Sequence, residues 1–138
     1  MSETKTYKGS CLCGQVQYQI SEPLKMFQYC HCSRCRKITG SGFAPNIFVP
    51  LQQFSWLSGK DLLGRYTVPE AKYFATSFCT NCGSTMPWLT QTEQIYVLPV
   101  GTLDDEIELK PSQNIFCAET PKWHTSFEQL PKFNQGPK

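Results

Sequence analysis

The chain has 138 residues, enough for one domain and too few for two comfortable ones. Thirteen Lys and Arg against eleven Asp and Glu leave a net charge of +2, so no strong field points to nucleic acid or to an anionic membrane. Aromatics at 13% and ten prolines favour short strands joined by turns over long helices. No apolar run approaches the roughly 18–20 residues of a membrane span, and Met1-Ser2-Glu3-Thr4-Lys5-Thr6 lacks the apolar stretch of an export signal. The expectation is a cytoplasmic, mainly β domain, with neither nucleic acid nor a membrane as partner.

In chain order, Gln15-Val16-Gln17-Tyr18-Gln19-Ile20 alternates apolar residues with glutamines, the period of a half-buried strand. Residues 33–39 form the one helical segment, with Ser33 as N-cap and Gly40 as the stop. Further short strands are predicted over residues 43–49, 54–57, 65–68, 73–78, 85–89 and 95–100. Turns at Pro50, Ser58-Gly59, Pro69-Glu70 and residues 101–105 separate them. Pro45, Pro87 and Pro99 fall inside these strands, which places the strands at sheet edges or at bulges. With no repeat and no linker, residues 7–133 read as one domain, and 1–6 and 134–138 as flexible tails.

The eight cysteines dominate the chemistry. A disulfide framework belongs to exported chains, whereas clustered cysteines in a reducing compartment are metal ligands or redox centres. Seven of the eight fall in three tight groups: Cys11 and Cys13; Cys30, Cys32 and Cys35; Cys79 and Cys82. Zinc takes four ligands in a tetrahedron, and two cysteines one or two residues apart supply half of it if the backbone turns tightly between them. Cys79-Thr80-Asn81-Cys82-Gly83 and Cys11-Leu12-Cys13-Gly14 are such halves, each followed by a glycine that permits the turn. Together they make a closed four-sulfur site. The other partition joins Cys11 and Cys13 to the middle cluster and strands the second knuckle.

Cys30-His31-Cys32-Ser33-Arg34-Cys35 offers three sulfurs and no fourth cysteine nearby. Three protein ligands with an exchangeable fourth position are the pattern of a catalytic zinc site, and a three-thiolate ion suits a soft ligand such as an incoming thiol. Arg34, Arg36 and Lys37 would offset its negative charge or hold an anionic substrate. The alternatives are a second structural site closed by Cys117, His31 or His124, and an empty or redox-active cluster. His31, between two ligands, is expected to point away from their metal into a surface or hydrogen-bonded role. Cys117 follows Ile115-Phe116 in an apolar patch and is expected as a buried thiol, and His124 carries no chemical context.

Three segments together resemble the glutathione-dependent formaldehyde-activating enzyme family, which includes the centromere protein V-like proteins. They are Gly9-Ser10-Cys11-Leu12-Cys13-Gly14, Cys30-His31-Cys32-Ser33-Arg34-Cys35-Arg36-Lys37 followed by Gly40-Ser41-Gly42-Phe43, and Phe78-Cys79-Thr80-Asn81-Cys82-Gly83-Ser84. Gly101-Thr102-Leu103-Asp104 and Pro121-Lys122-Trp123 are similar to its C-terminal half. Asn114 departs from it, since members often carry a histidine there.

The resemblance implies a mainly β fold of small zinc-stapled antiparallel sheets, the β-tent type, as a single domain with one short helical turn. It implies two zinc ions per chain: a structural one on Cys11, Cys13, Cys79 and Cys82, and a catalytic one on Cys30, Cys32 and Cys35. The implied activity is a carbon–sulfur lyase reaction, addition of the thiol of glutathione to formaldehyde to give S-hydroxymethylglutathione, or the reverse. The rival reading is a non-catalytic, zinc-stabilised protein-binding module that uses aromatics such as Trp56, Trp88 and Trp123.

Overall fold

Among residues 4–137, which the computed structural model describes, eleven short strands and one α-helix carry the fold. Residues 1–3 and 138, the outer ends of the two expected tails, lie outside the described residues. In chain order the first elements are β1 (Thr6–Ser10), β2 (Gln17–Ser21), β3 (Met26–Cys30), α1 (Ser33–Thr39), β4 (Ala44–Pro50) and β5 (Phe54–Ser58). There follow β6 (Leu63–Thr67), β7 (Ala75–Cys79), β8 (Thr85–Met86), β9 (Trp88–Leu89), β10 (Ile95–Pro99) and β11 (Gln113–Ile115). No helix is long and apolar enough to cross a membrane among these residues.

The strands form three sheets, ordered β1-β2-β5, β11-β3-β4-β10-β9 and β6-β7-β8. All pairings are antiparallel except β11 with β3, which is parallel. The mainly β architecture of small sheets with one short helix is the one expected. In β2 the alternation sends Tyr18 and Ile20 into the core. Tyr18 stacks on Phe54 at 5.4 Å between ring centroids, and its hydroxyl meets that of Thr102 at 2.6 Å.

The prolines correct the edge-strand expectation for Pro45. Strand β4 lies in the middle of the five-stranded sheet, and its pairing with β10 starts at Asn46, just past Pro45. Pro99 is the last residue of β10 and faces no partner in β9, whose pairing covers Tyr96 and Val97. Pro87 splits the expected strand over 85–89: β8 pairs with β7, while β9 joins β10 in another sheet. The helix spans the expected residues and stops at Gly40, whose φ of 66° is the left-handed turn that glycine takes without strain. Its N-cap is Cys32 and not Ser33, because the Cys35 N–H donates to the Cys32 sulfur at 3.3 Å.

The five-stranded sheet has two unlike faces, as the period of two requires. Phe27, Ile47, Val49 and Leu98 point to the main core, where they pack with Tyr7, Tyr18, Ile20 and Phe54. Gln28, Cys30, Asn46, Phe48 and Val97 occupy the other face, and that face floors a cavity.

Candidate metal centres

The first cysteine group follows β1 and the last closes β7, so two different sheets deliver their chain ends to one place. The sulfurs of Cys11, Cys13, Cys79 and Cys82 all lie within 4.8 Å of one another. Cys11 to Cys13 is 3.5 Å and Cys13 to Cys79 is 3.9 Å. Four sulfurs about 2.3 Å from a central ion sit about 3.8 Å apart in a tetrahedron, so the spacing fits a tetrathiolate metal such as zinc. Each knuckle closes by a backbone bond, Gly14 N–H to the Cys11 carbonyl at 3.0 Å and Gly83 N–H to that of Cys79 at 2.7 Å. Both glycines have φ of 80°, which a side chain rarely adopts. The Val16 N–H donates to the Cys11 sulfur at 3.3 Å, and the Ser84 hydroxyl lies 3.2 Å from that of Cys82. The hydroxyl and backbone N–H of Ser84 bring the Cys82 pKa down to about 5, which favours its thiolate.

The middle group is local. Cys30 ends β3, Cys32 caps α1 and Cys35 lies in the helix's first turn, so one strand-to-helix corner gathers three sulfurs. They too lie within 4.8 Å of one another, and no ligand atom of another Cys, His, Asp or Glu joins them among the described residues. The neighbouring Cys35 thiol brings the Cys30 pKa down to about 6 against the effect of burial, while the proximity of Cys30 pushes that of Cys35 up.

Closure of this site by Cys117, His31 or His124 is not what the chain does. Cys117 is exposed, which also corrects its expected burial. His31 is buried on the opposite side of the segment from its cysteine neighbours and donates from Nε2 to Asn114 Oδ1 at 2.9 Å. Its ring packs against Phe43 and His124, at 5.5 and 5.6 Å between centroids, so the hydrogen-bonded half of the expectation holds and the surface half does not. His124, which had no context in sequence, belongs to this aromatic cluster.

The three sulfurs open onto a cavity of about 610 Å³. Its floor is the outer face of the five-stranded sheet, where Gln28 pairs with Asn46 across β3 and β4, and Phe48 with Val97 across β4 and β10. Phe74 and Trp88 pack on each other at 4.9 Å along its wall. Arg34 lines the cavity with its guanidinium 6.0 Å from the Phe74 ring centroid. Arg36 and Lys37 do not line it; Lys72, far away in sequence, does. Of the three tryptophans weighed as surface contacts, Trp88 is buried at the cavity and Trp56 is half-buried against Tyr96, which leaves Trp123 exposed. Gln28, Asn46, Phe48, Lys72 and Phe74 went unnoticed in the sequence. The one local signal was Gln28, a polar residue two positions before Cys30 and hence on its face of a strand.

The chain is similar over 78% of its length to a protein of Rhodobacter sphaeroides whose crystal structure is known, and the match covers 98% of that chain. The TM-score is 0.61 at 23% identity, a likeness of fold. No curated protein matches. The sequence profile described as glutathione-dependent formaldehyde-activating enzyme matches residues 6–119, which include all seven clustered cysteines. The chain belongs to the glutathione-dependent formaldehyde-activating enzyme family.

Proposed function

We propose that the protein is a zinc-dependent carbon–sulfur lyase-type enzyme, which adds a thiol such as glutathione to a small aldehyde such as formaldehyde or runs the reverse cleavage. One observation carries this reading: Cys30, Cys32 and Cys35 face a cavity without a fourth protein ligand among the described residues. A sealed site has no room for a reactant, and an open one does. Zinc held there would supply positive charge and a vacant position at which a thiol ionises.

The chain's own residues do the rest. Cys30, Cys32 and Cys35 are the ligands of the catalytic ion, and Cys11, Cys13, Cys79 and Cys82 those of a structural one, two zinc ions per chain. Arg34 and Lys72 offer positive charge at the cavity to the carboxylates of glutathione. In the forward direction a carbon–sulfur bond forms, the carbonyl π bond opens, and the proton lost by the thiol ends on oxygen, so no oxidant or reductant is needed. His31 is tied to Asn114 away from the cavity and does not carry that proton. A cytoplasmic location, where thiols stay reduced, suits both the ligands and the substrate.

The test is exchange spectroscopy on glutathione and formaldehyde at equilibrium with the zinc-loaded protein. Interconversion with S-hydroxymethylglutathione is expected to exceed the uncatalysed rate and to fall with Cys32→Ser. Uncatalysed rates with two zinc ions bound would leave the protein-binding module as the better account.

A further inference from the structure

The cavity carries more apolar lining than addition of formaldehyde to glutathione requires. That reaction puts one carbon and one oxygen on the sulfur, and a hydroxymethyl group has little apolar surface to cover. A volume of about 610 Å³ encloses a drug-sized ligand, which glutathione already is, so the lining and not the volume points to a further group. Phe48, Val97 and Trp88 form one row across β4, β10 and β9, register partner beside register partner, and Phe74 packs over Trp88. The charged residues Arg34, Lys72 and Glu119 are exposed ones, so the ionic ends of glutathione find partners without entering the apolar row. Formaldehyde would leave that row bare.

A polar pair separates the row from the cysteines. Asn46 is 7% exposed and lines the cavity, and its carboxamide is not among the polar atoms sealed away from solvent, so its polar end opens onto the cavity. Its register partner Gln28 is 5% exposed and has its Oε1 tied by Gln113 Nε2 at 2.7 Å, which turns the carboxamide into a fixed donor. The free polar atoms of this pair are not sealed from solvent, so they open onto the cavity, where a ligand oxygen can accept from them in place of water. Along β3, Gln28 lies one side-chain repeat, about 7 Å, from Cys30. Phe116 adds an aromatic ring to the same cavity from a left-handed backbone (φ 56°) that few non-glycine residues adopt.

We propose that the cavity takes the thiol adduct of an aldehyde bearing an aryl or branched alkyl group, its oxygen on the carboxamides of Asn46 and Gln28 and its apolar group on Phe48, Val97 and Trp88. This rests on the thiol–aldehyde reading of the cysteine trio and names the aldehyde it serves. The two are tested apart with stable thioethers, which need no turnover. Calorimetry on the zinc-loaded protein should show S-benzylglutathione binding at least about 10-fold tighter than S-methylglutathione, the expected return for burying a ring. Phe48→Ala should erase most of that preference. Phe116→Ala, at a position 59% exposed where folding is not at stake, should reduce it as well. Asn46→Ala should lower kcat/KM for benzaldehyde and leave S-benzylglutathione affinity unchanged, because that thioether carries no oxygen on the benzylic carbon. Equal affinities for the two thioethers, or a benzyl preference that survives both phenylalanine variants, overturn the inference. If formaldehyde exchange is still accelerated in that case, the carbon–sulfur lyase reading stands without it; if it is not, both fall.

Discussion

The two cysteine clusters use the same ligand atom and differ in where the chain finds it. The quartet draws on the ends of β1 and β7 in two separate sheets, so an ion there links residues about 70 positions apart in sequence. The trio comes from six consecutive residues that a strand-to-helix corner already holds together, so an ion there adds little to the connectivity of the fold. The quartet is backed by the main core, to which Cys11 and Cys79 belong, and the trio opens on a cavity. Distance along the chain would make an ion in the quartet a staple, and local gathering would leave one in the trio free for the proposed chemistry.

The largest effect expected from this contrast is loss of the fold on Cys79→Ser. Structural zinc contributes on the order of 10–16 kcal/mol in small domains, as much as or more than the roughly 5–15 kcal/mol by which a native domain is stable. A thermal melt should show no cooperative transition. A cooperative melt with one zinc still bound would mean that the sheets stand without their staple.

Cys32→Ser should come next, with activity down by at least about 100-fold and the melt nearly unchanged. Serine keeps a side-chain acceptor at the N-cap, so the bond from the Cys35 N–H survives while the soft ligand is lost. Metal content should fall from two ions to one. A chelator series on the unaltered protein should give the same order, activity vanishing with the first ion and the cooperative melt with the second. Unfolding of Cys32→Ser as complete as that of Cys79→Ser would erase the distinction between the sites.

What was legible in the sequence was what lies close together in it. The helix over Ser33–Thr39, the alternation in β2 and both cysteine clusters follow from spacings of one to six residues or from paired knuckles of recognisable form. The cavity is a product of register: Gln28 meets Asn46, and Phe48 meets Val97, only after β3, β4 and β10 have paired. No periodicity within one strand announces that. Pro45 misled for the same reason, since the edge rule depends on where β10 stops pairing, and Met26-Phe27-Gln28-Tyr29-Cys30 showed no clean alternation because apolar Met26 and Cys30 share the cavity face with Gln28. Trp88 in a candidate strand gave no hint that Pro87 would hand it to another sheet beside the trio.

Gly9→Ala probes the stapled half without touching a ligand. A methyl group there would run into the Tyr18 ring, which is fully buried, stacked on Phe54 and anchored at its hydroxyl by Thr102. The ring cannot withdraw, and overpacking of this kind costs about 1–3 kcal/mol. The melt should drop by several degrees with both ions retained. Gly101→Ala, where a new methyl meets nothing within 4 Å, is the control and should melt close to the parent. Loss of an ion in Gly9→Ala would show that the sheet positions the quartet more tightly than the knuckles themselves.

The smallest effect also belongs to the stapled half and appears in alkali. Tyr7 on β1 donates its hydroxyl to Glu22 Oε1, just past the end of β2, at 2.7 Å, and this bond raises the phenol pKa from 10 to about 12. Because the folded value lies above the unfolded one, the unfolded chain gives up its proton first as pH rises. The bond's contribution is therefore complete below pH 10, declines between 10 and 12, and is gone once the folded phenol ionises too. Tyr7→Phe removes that bond and the ionisation with it. Its melting point should lie below the parent's at pH 8, and the gap should close as pH climbs past 10, while Tyr18 acts equally in both proteins. A gap that stays constant to pH 12 would mean that Tyr7 contributes by packing alone, and that the hairpin of β1 and β2 relies on its metal knuckle more heavily than the Glu22 contact suggests.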